Sequence, residues 1–422
     1  GRDFFAFKDI QQNREGSQYK DWYCNVNFQG NNEYNDGFSY DNWGGYNLLV
    51  KLNQHNPAVR QYLLDVVKYW VSEFDVDGIR LDAADVLDFG FMHELRMLAN
   101  DIKPDFWLMG EVIHGDYSRW VNDDMLHSVT NYQLYKALYS GHNEHNYFEI
   151  AHTVRHLLDK GNLPYHLYNF ADNHDVERIY TRLHSKQEFV PLHILMYTLP
   201  GIPSIYYGSE FGIEGRKEKH SDAVLRPVIH LEDYKNAVNE NGCTNIIARL
   251  GEIRQKNPVF ADGIYQEIRL TNRQYAFSRT NETTQAIVVV NNDEADSSLE
   301  IPANGTYTEV LSGEVQNVNG NLNIYLRACS GQIWIQNYDE TVAKKKEVKI
   351  LETKQAEVKE EIIKQVTVNH SKSYEEMSIE ELQACVLEKL AKNGPVTEQM
   401  KRDVANNVYY DSLVNWVKSF RN

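Results

Sequence analysis

The stretch Phe74-Asp75-Val76-Asp77-Gly78-Ile79-Arg80-Leu81-Asp82-Ala83-Ala84 decides how this chain is read. Its middle, Val76 to Leu81, is a short run followed by an acid and reads as a strand. Helical patterns flank it. Upstream, Asn56 can cap a helix, Pro57 suits its first turn, and Val59, Leu63, Val66, Val67 and Trp70 recur near a 3.6-residue period. Downstream, Met92, Leu95 and Leu98 keep helical spacing, with Asp85 and Asp88 placed to cap that helix.

The alternation continues outward. Strands are expected at Phe106 to Met109, more weakly at Leu126 to Tyr132, then at His166 to Phe170 and Ser204 to Tyr207. Helical patterns fill the intervals, around Ile150–Leu158, Val190–Leu199 and Ile246–Ile253. Strand–helix alternation of this kind predicts a parallel sheet covered by helices. Residues 1–53, rich in Asn, Gly, Asp and aromatics, read as an irregular, long-looped region. After about Pro258 the texture changes to short strands bounded by Asn, Gly and Asp: Tyr275–Ser278, Ala286–Val290, Leu322–Tyr325 and Gln332–Ile335. These predict a small antiparallel β-sandwich. A Lys/Glu-rich linker follows over residues 338–377, and residues 378–422 read as a helical hairpin. In that hairpin Ser378 and Glu381 form a capping box, Gly394-Pro395 stops the first helix, and the second runs from Met400 to Phe420.

Bulk properties exclude some functions. The 422 residues exceed what a single core of about 250–300 residues supports, so more than one domain is expected. A net charge of −17, with no Lys/Arg stripe, argues against nucleic acid and suits a neutral polymer. No apolar run approaches the roughly 20 residues that span a bilayer. Cys24, Cys243, Cys329 and Cys385 are isolated, without zinc-ligand spacing or a disulfide framework, and such sparse usage leans toward the cytoplasm.

Three of the expected strands end in acids: Arg80-Leu81-Asp82, Gly110-Glu111, and Phe170-Ala171-Asp172-Asn173-His174-Asp175. Parallel barrel strands converge on one mouth at their C-terminal ends. Any one of these acids alone is more often a helix cap or a loop ion pair, and His174 alone is more often a structural hydrogen-bonder. Together they are harder to explain that way, because carboxylates crowded at one mouth repel and persist only where chemistry demands them. Retaining glycoside hydrolysis makes that demand, since it pairs a carboxylate nucleophile with a protonated carboxylic acid roughly 5–5.5 Å away. Arg80, two residues before Asp82, points to the same side of the strand and can keep that acid ionised.

These blocks, with Gly201-Ile202-Pro203-Ser204-Ile205-Tyr206-Tyr207-Gly208, resemble the successive signature regions of the α-amylase family, in the family's order and spacing. Lys51-Leu52-Asn53 resembles an additional short region of the neopullulanase and cyclomaltodextrinase branch. The resemblance covers about residues 1–337. It implies that Asp82 is the nucleophile, Glu111 the acid and then base, and Asp175 the third carboxylate, which holds sugar hydroxyls. It also implies substrate-binding roles for Arg80, Asn173 and His174, with an α-glucan as the partner and neither nucleic acid nor membrane. The implied chemistry needs no cofactor. The family commonly carries a structural calcium near its inserted loop domain, but its key ligands would fall upstream of Gly1.

The family's fold is a (β/α)8 TIM barrel with a loop domain inserted after strand three and a C-terminal β-sandwich. Residues 1–53 then correspond to the remainder of the loop domain, 54–257 to barrel strands four to eight, and 258–337 to the sandwich. The three earlier strands, and the motif with an Asp and an Asn-His pair that ends the third, have no counterpart, so the sequence is read as a truncated piece of a longer protein. Other readings are a transglycosylase or isomerase on the same site, and a non-catalytic member of the fold. The presence of all three acids argues against the last. The C-terminal hairpin as an interaction module is a fourth reading; its apolar faces suit mutual packing better.

Overall fold

The structure, a computed structural model, describes residues 1–338, 377–393, 396–406 and 410–419. The chain divides into two compact units, Gly1–Asn337 and Tyr338–Asn422.

Residues 1–53 are more regular than their composition implies. Phe5–Asn13 is a helix, and β1 (Asn42–Trp43) and β2 (Tyr46–Val50) form an antiparallel hairpin. Ala6, Phe7, Ile10, Tyr23, Phe38, Tyr40 and Val50 bury against one another in a core of their own. Only three positions of the nine-residue helix enter it, too few to register as a period along the sequence.

The next five strands are β3 (Gly78–Leu81), β4 (Trp107–Gly110), β5 (Ser128–Val129), β6 (Tyr168–Phe170) and β7 (Ile202–Ser204). They pair in parallel, β3 with β4, β4 with β5 and β6 with β7, and one parallel bridge from Thr130 to Tyr168 links β5 to β6. Helices Phe89–Ile102, Tyr132–Asn143, Tyr147–Leu158 and Phe189–Thr198 make the crossovers. Asn56 caps helix Pro57–Phe74 by accepting the Ala58 N–H at 2.9 Å. Asp88 caps helix Phe89–Ile102 through the Phe91 N–H, also at 2.9 Å, whereas Asp85 sits inside the short 3-10 turn Ala84–Val86. Gly78 is required by close approach: a Cβ there would lie 2.3 Å from the Trp107 carbonyl oxygen. Among the described residues β3 has no strand on its other edge.

Two expected strands shift in ways that matter. The run Ser204 to Tyr207 gives way to a strand ending at Ser204, which leaves Tyr206 and Tyr207 on the rim. The run Leu126 to Tyr132 shrinks to Ser128–Val129, and Tyr132 opens the following helix.

The remaining strands are β8 (Ile264–Leu270), β9 (Gln274–Thr280), β10 (Thr284–Asn291), β11 (Ser297–Glu309), β12 (Val315–Leu326) and β13 (Ser330–Asn337). They form one antiparallel sheet in the order β12-β11-β13-β10-β9-β8. The sandwich-like core comes from this single sheet: β11 meets β13 only at Thr308 and Glu309, and the rest of the β11–β12 hairpin diverges. Leu299, Ile301, Tyr307, Leu322 and Ile324 of that hairpin then share a core with Ala276, Ile287, Val289 and Trp334. The opposite face, with Tyr275, Phe277, Val288, Val290 and Ile333, packs with Leu138, Ile150, Leu192, Ile194 and Leu250 from the helices around the parallel strands. Helix Phe189–Thr198 lies in this shared core and is apolar nearly all round, as a helix covered on every side must be.

In the second unit the helices are Ile379–Asn393, Glu398–Asn406 and Tyr410–Ser419. The Ser378 N–H donates to Glu381 Oε2 at 2.7 Å and the Glu381 N–H to Ser378 Oγ at 3.2 Å, the reciprocal capping box expected there. Met377, Leu382, Val386, Val404, Leu413 and Val417 form its core. Where one second helix is expected, the described residues give Glu398–Asn406 and Tyr410–Ser419, and Gly394, Pro395, Phe420 and nearly all of the charged linker lie outside the described residues. No helix among the described residues is long and apolar enough to cross a membrane.

Candidate active site

In the β3–β4 pair Leu81 lies opposite Gly110, and the ladder continues past both strands: the Glu111 N–H donates to the Leu81 carbonyl and the Ala84 N–H to the Glu111 carbonyl, each at 2.9 Å. Asp82 and Glu111 therefore leave neighbouring strands at the same level. Two carboxyl groups so placed repel whenever both are ionised, and a cation bridges them: Arg80 Nη1 donates to Asp82 Oδ1 at 3.0 Å while its Nη2 lies 3.3 Å from Glu111 Oε2. Ala83 adopts a left-handed conformation (φ 43°), uncommon outside glycine, and its N–H reaches Glu111 Oε2 at 3.3 Å. The Asp82 side chain is 79% exposed and the Glu111 side chain 11%, so one acid is open to a ligand and the other is largely covered.

Asp175 is tied to this pair through a residue that the sequence pattern does not single out. Tyr132 donates its hydroxyl to Glu111 Oε1 at 3.2 Å and accepts from Asn173 Nδ2 at 3.1 Å. Asn173 Oδ1 in turn accepts the N–H groups of Asp175 (2.8 Å) and Val176 (3.1 Å). Burial pushes the Tyr132 phenol up to about 12, with the nearby Glu111 and Asp175 adding to the shift, so Tyr132 stays a neutral donor between acids. Asp175 Oδ2 lies 3.0 Å from His174 Nε2, and Asp175 Oδ1 accepts from Arg226 Nη2 at 2.8 Å. Arg226 Nε also donates to the His174 carbonyl at 3.1 Å, and Lys217 donates to the carbonyl of Asp175. The ring of Tyr206 stands 6.3 Å from that of His174. The fully buried Arg178 lies 4.2 Å from the centre of the Tyr206 ring and holds the Tyr207 carbonyl through Nη1 at 2.7 Å.

Asp172, three residues before Asp175, is buried and accepts from the Ile179 N–H and the Ser209 hydroxyl at 2.7 Å each. Burial pushes it up to about 6. The predicted residues Arg80, Asp82, Glu111, Asn173, His174 and Asp175 thus form one hydrogen-bonded chain with Tyr132 and Arg226 added. Tyr132 follows β5 as the acids follow β3, β4 and β6, so the strand-end rule could have found it. Arg226 lies in a loop with no such signal. Among the described residues no group of three or more His, Cys, Asp or Glu is placed to hold a metal ion, and the acids of this site face Arg80, Tyr132 and Arg226 instead. The four cysteines are free.

Residues 1–262 match the family described as alpha amylase, catalytic domain, and residues 269–389 the alpha amylase C-terminal all-beta domain. The chain belongs to the α-amylase family. It is 31% identical over 349 residues to neopullulanase 2 of Thermoactinomyces vulgaris, covering 79% of this chain and 57% of that protein. To the intracellular maltogenic amylase of Bacillus subtilis it is 32% identical over 282 residues, 65% of this chain and 46% of that one. Among solved structures, the acarbose-soaked debranching enzyme of Nostoc punctiforme superposes with a TM-score of 0.65 at 26% identity, covering 79% of this chain and 72% of the other. The chain spans about half the length of these curated relatives.

Proposed function

We propose that this chain carries the catalytic acids of a retaining α-glucan hydrolase acting on α-1,4-glucosidic bonds of starch, maltodextrins or related chains. The observation that carries the reading is the Arg80 bridge, 3.0 Å to Asp82 and 3.3 Å to Glu111, at the ends of adjacent parallel strands. In the first step the Asp82 carboxylate attacks the anomeric carbon, the glycosidic C–O bond breaks, and the leaving oxygen takes the Glu111 proton. In the second, water gives a proton to the Glu111 carboxylate as its oxygen attacks the same carbon, which frees Asp82 and retains configuration. Asp175 and His174 hold sugar hydroxyls, and Arg80 aims the Asp82 carboxylate. No cofactor takes part, and no step runs through a metal.

The five parallel strands, with no strand on the other edge of β3 among the described residues, support a reading as strands four to eight of the barrel. The name of the Bacillus subtilis relative supports an intracellular setting. Transglycosylation is the nearest rival, and the match to a cyclomaltodextrin glucanotransferase of a Bacillus species (27% identity over 291 residues) keeps it in view. In a chain carrying the complete barrel, Asp82→Asn lowers turnover of maltoheptaose at least about a thousandfold, because the covalent step is lost. Near-normal turnover by that variant eliminates the reading. Longer oligosaccharides among the earliest products favour the transglycosylase.

A further inference from the structure

Where helix Phe189–Thr198 begins, an acid enters the seam between the helices and the antiparallel sheet. Glu188, the residue before that helix, is 1% exposed. The Cys329 thiol, in the turn between β12 and β13, donates to its Oε1 at 3.5 Å, and its Oε2 has no partner among the described residues. His145, between helices Tyr132–Asn143 and Tyr147–Leu158, is turned elsewhere. Its Nδ1 donates to the Asn292 carbonyl at 2.6 Å and stays 3.8 Å from Glu188 Oε1. Burial pushes the Glu188 carboxyl up to about 7, and burial with the acids beside it pushes the Cys329 thiol up to about 12. Those acids include Asp293 and Glu294 of the loop after β10, while Arg273 of the β8–β9 turn acts on Glu188 in the opposite sense. Tyr147 is buried and keeps its proton, and His142 and His193, pushed down to about 4 by burial, stay uncharged.

Hydrogen bonds between loops close this seam. The Tyr147 N–H donates to the Asn272 carbonyl and the Cys329 N–H to the Asp293 carbonyl, each at 3.0 Å, and Asn292 Nδ2 donates to the Gly141 carbonyl at 3.3 Å. His145 and Cys329 both take positive φ (47° and 45°), a conformation that residues other than glycine hold only under constraint. We propose that Glu188 is a proton-operated clasp: protonated, it lets the loops of the sheet close on the helices, and ionised, it opens them to water. A neutral carboxyl needs little from this seam. A carboxylate needs several donors and finds one weak S–H, so it must be hydrated, and water reaches it only when the loops around His145, Asn292 and Cys329 part. The acid holds its proton more tightly when buried than when hydrated. Closure is therefore complete at low pH and is lost as pH rises through about 7. The clasp does not depend on the catalytic reading.

Hydrogen exchange of the full chain tests it, resolved to single amides and expressed as protection relative to an unstructured chain at the same pH. From about pH 5.5 to about pH 8.5 the Tyr147 and Cys329 amides lose about thirtyfold in protection, as an acid requires that titrates at about 7 when closed and about 4.3 when open. Glu188→Gln, an isostere of the protonated form, removes this loss and leaves the same protection at both pH values. Glu188→Met, which carries no polar group, does the same and serves if the glutamine variant fails to fold. The Val288 amide, in a ladder with Phe277 and Ile333 on either side, shows no such change in any of the three. Equal protection at both pH values in the parent overturns the proposal. So does a loss that survives both substitutions, which assigns the change to another group such as His145. A loss shared in full by Val288 is global unfolding, and overturns it as well.

Discussion

The parallel strands β3 to β7 are two to four residues long, while the antiparallel strands β8 to β13 run from seven to thirteen. The short strands act through their ends. Each needs only enough ladder to fix its level, and the residue after it (Asp82, Glu111) or a few beyond it (Tyr132, Asp175) makes the site. The long strands act through their faces, one packed on the helices and the other closed by the β11–β12 hairpin. The same division separates the acids. Asp175 on the rim is paired with Arg226 and His174, whereas Asp172, three residues earlier, is sealed in and serves the backbone of Ile179 and the hydroxyl of Ser209.

If faces hold the antiparallel region, its largest buried face should be costly to remove. Trp334 is 1% exposed and sits in the core between the sheet and its folded-over hairpin. Trp334→Ala is expected to cost about 3–5 kcal/mol in urea unfolding. A loss below about 1 kcal/mol would mean that the hairpin is not held by this core, and the contrast between the two sheets would fail.

The contrast between the two aspartates predicts a pH signature. In the folded chain Asp172 titrates at about 6 because of burial, against about 3.9 in an unfolded chain. Between those values the folded state binds more protons, so stability falls as pH rises from about 4 to 6, by roughly 2–3 kcal/mol, and stays lower above that window. Asp172→Asn keeps an acceptor for the Ile179 N–H and removes the charge, so unfolding measured across this window should lose that part of the slope. Glu188, also buried and pushed up to about 7, should still give a fall that continues to neutral pH. An unchanged slope from about pH 4 to 6 in the variant would show that Asp172 is not the group responsible.

Local signals are the legible part of the sequence. Asn56 with Pro57, Asp88, and Ser378 with Glu381 announce helix starts because a cap is made within three or four residues of itself, and all three caps form. The strand ends carrying Asp82, Glu111 and Asp175 are legible for a similar reason, since an apolar run followed by an acid is a short pattern. Helix Tyr132–Asn143 escapes notice because its buried set (Leu134, Tyr135, Ala137, Leu138, Gly141, His142) mixes aromatic, small and polar residues, which blurs the period. Strand β11 escapes because Pro302, Asn304 and Gly305 read as breakers. Along most of its length it has a partner on one side only, so the missing N–H of Pro302 costs no ladder bond on the open side. Arg226 is illegible in principle, because its contact with Asp175 spans 51 residues and arises only from the fold.

Tyr132 gives the smallest and most discriminating test of the idea that short strands act through their ends. Its hydroxyl links Glu111 to Asn173, and its ring packs edge-on against Phe170 at 4.9 Å. Tyr132→Phe keeps the ring and removes the link, so the helix it opens and the thermal midpoint should hold. In a chain with the complete barrel, kcat is expected to fall about tenfold, the loss of one hydrogen bond that aims Glu111, with KM for maltoheptaose little changed. That split is what a residue that aims the acid predicts. A fall in thermal midpoint with kcat intact would instead make Tyr132 a packing residue, and the strand-end rule would stop at the acids.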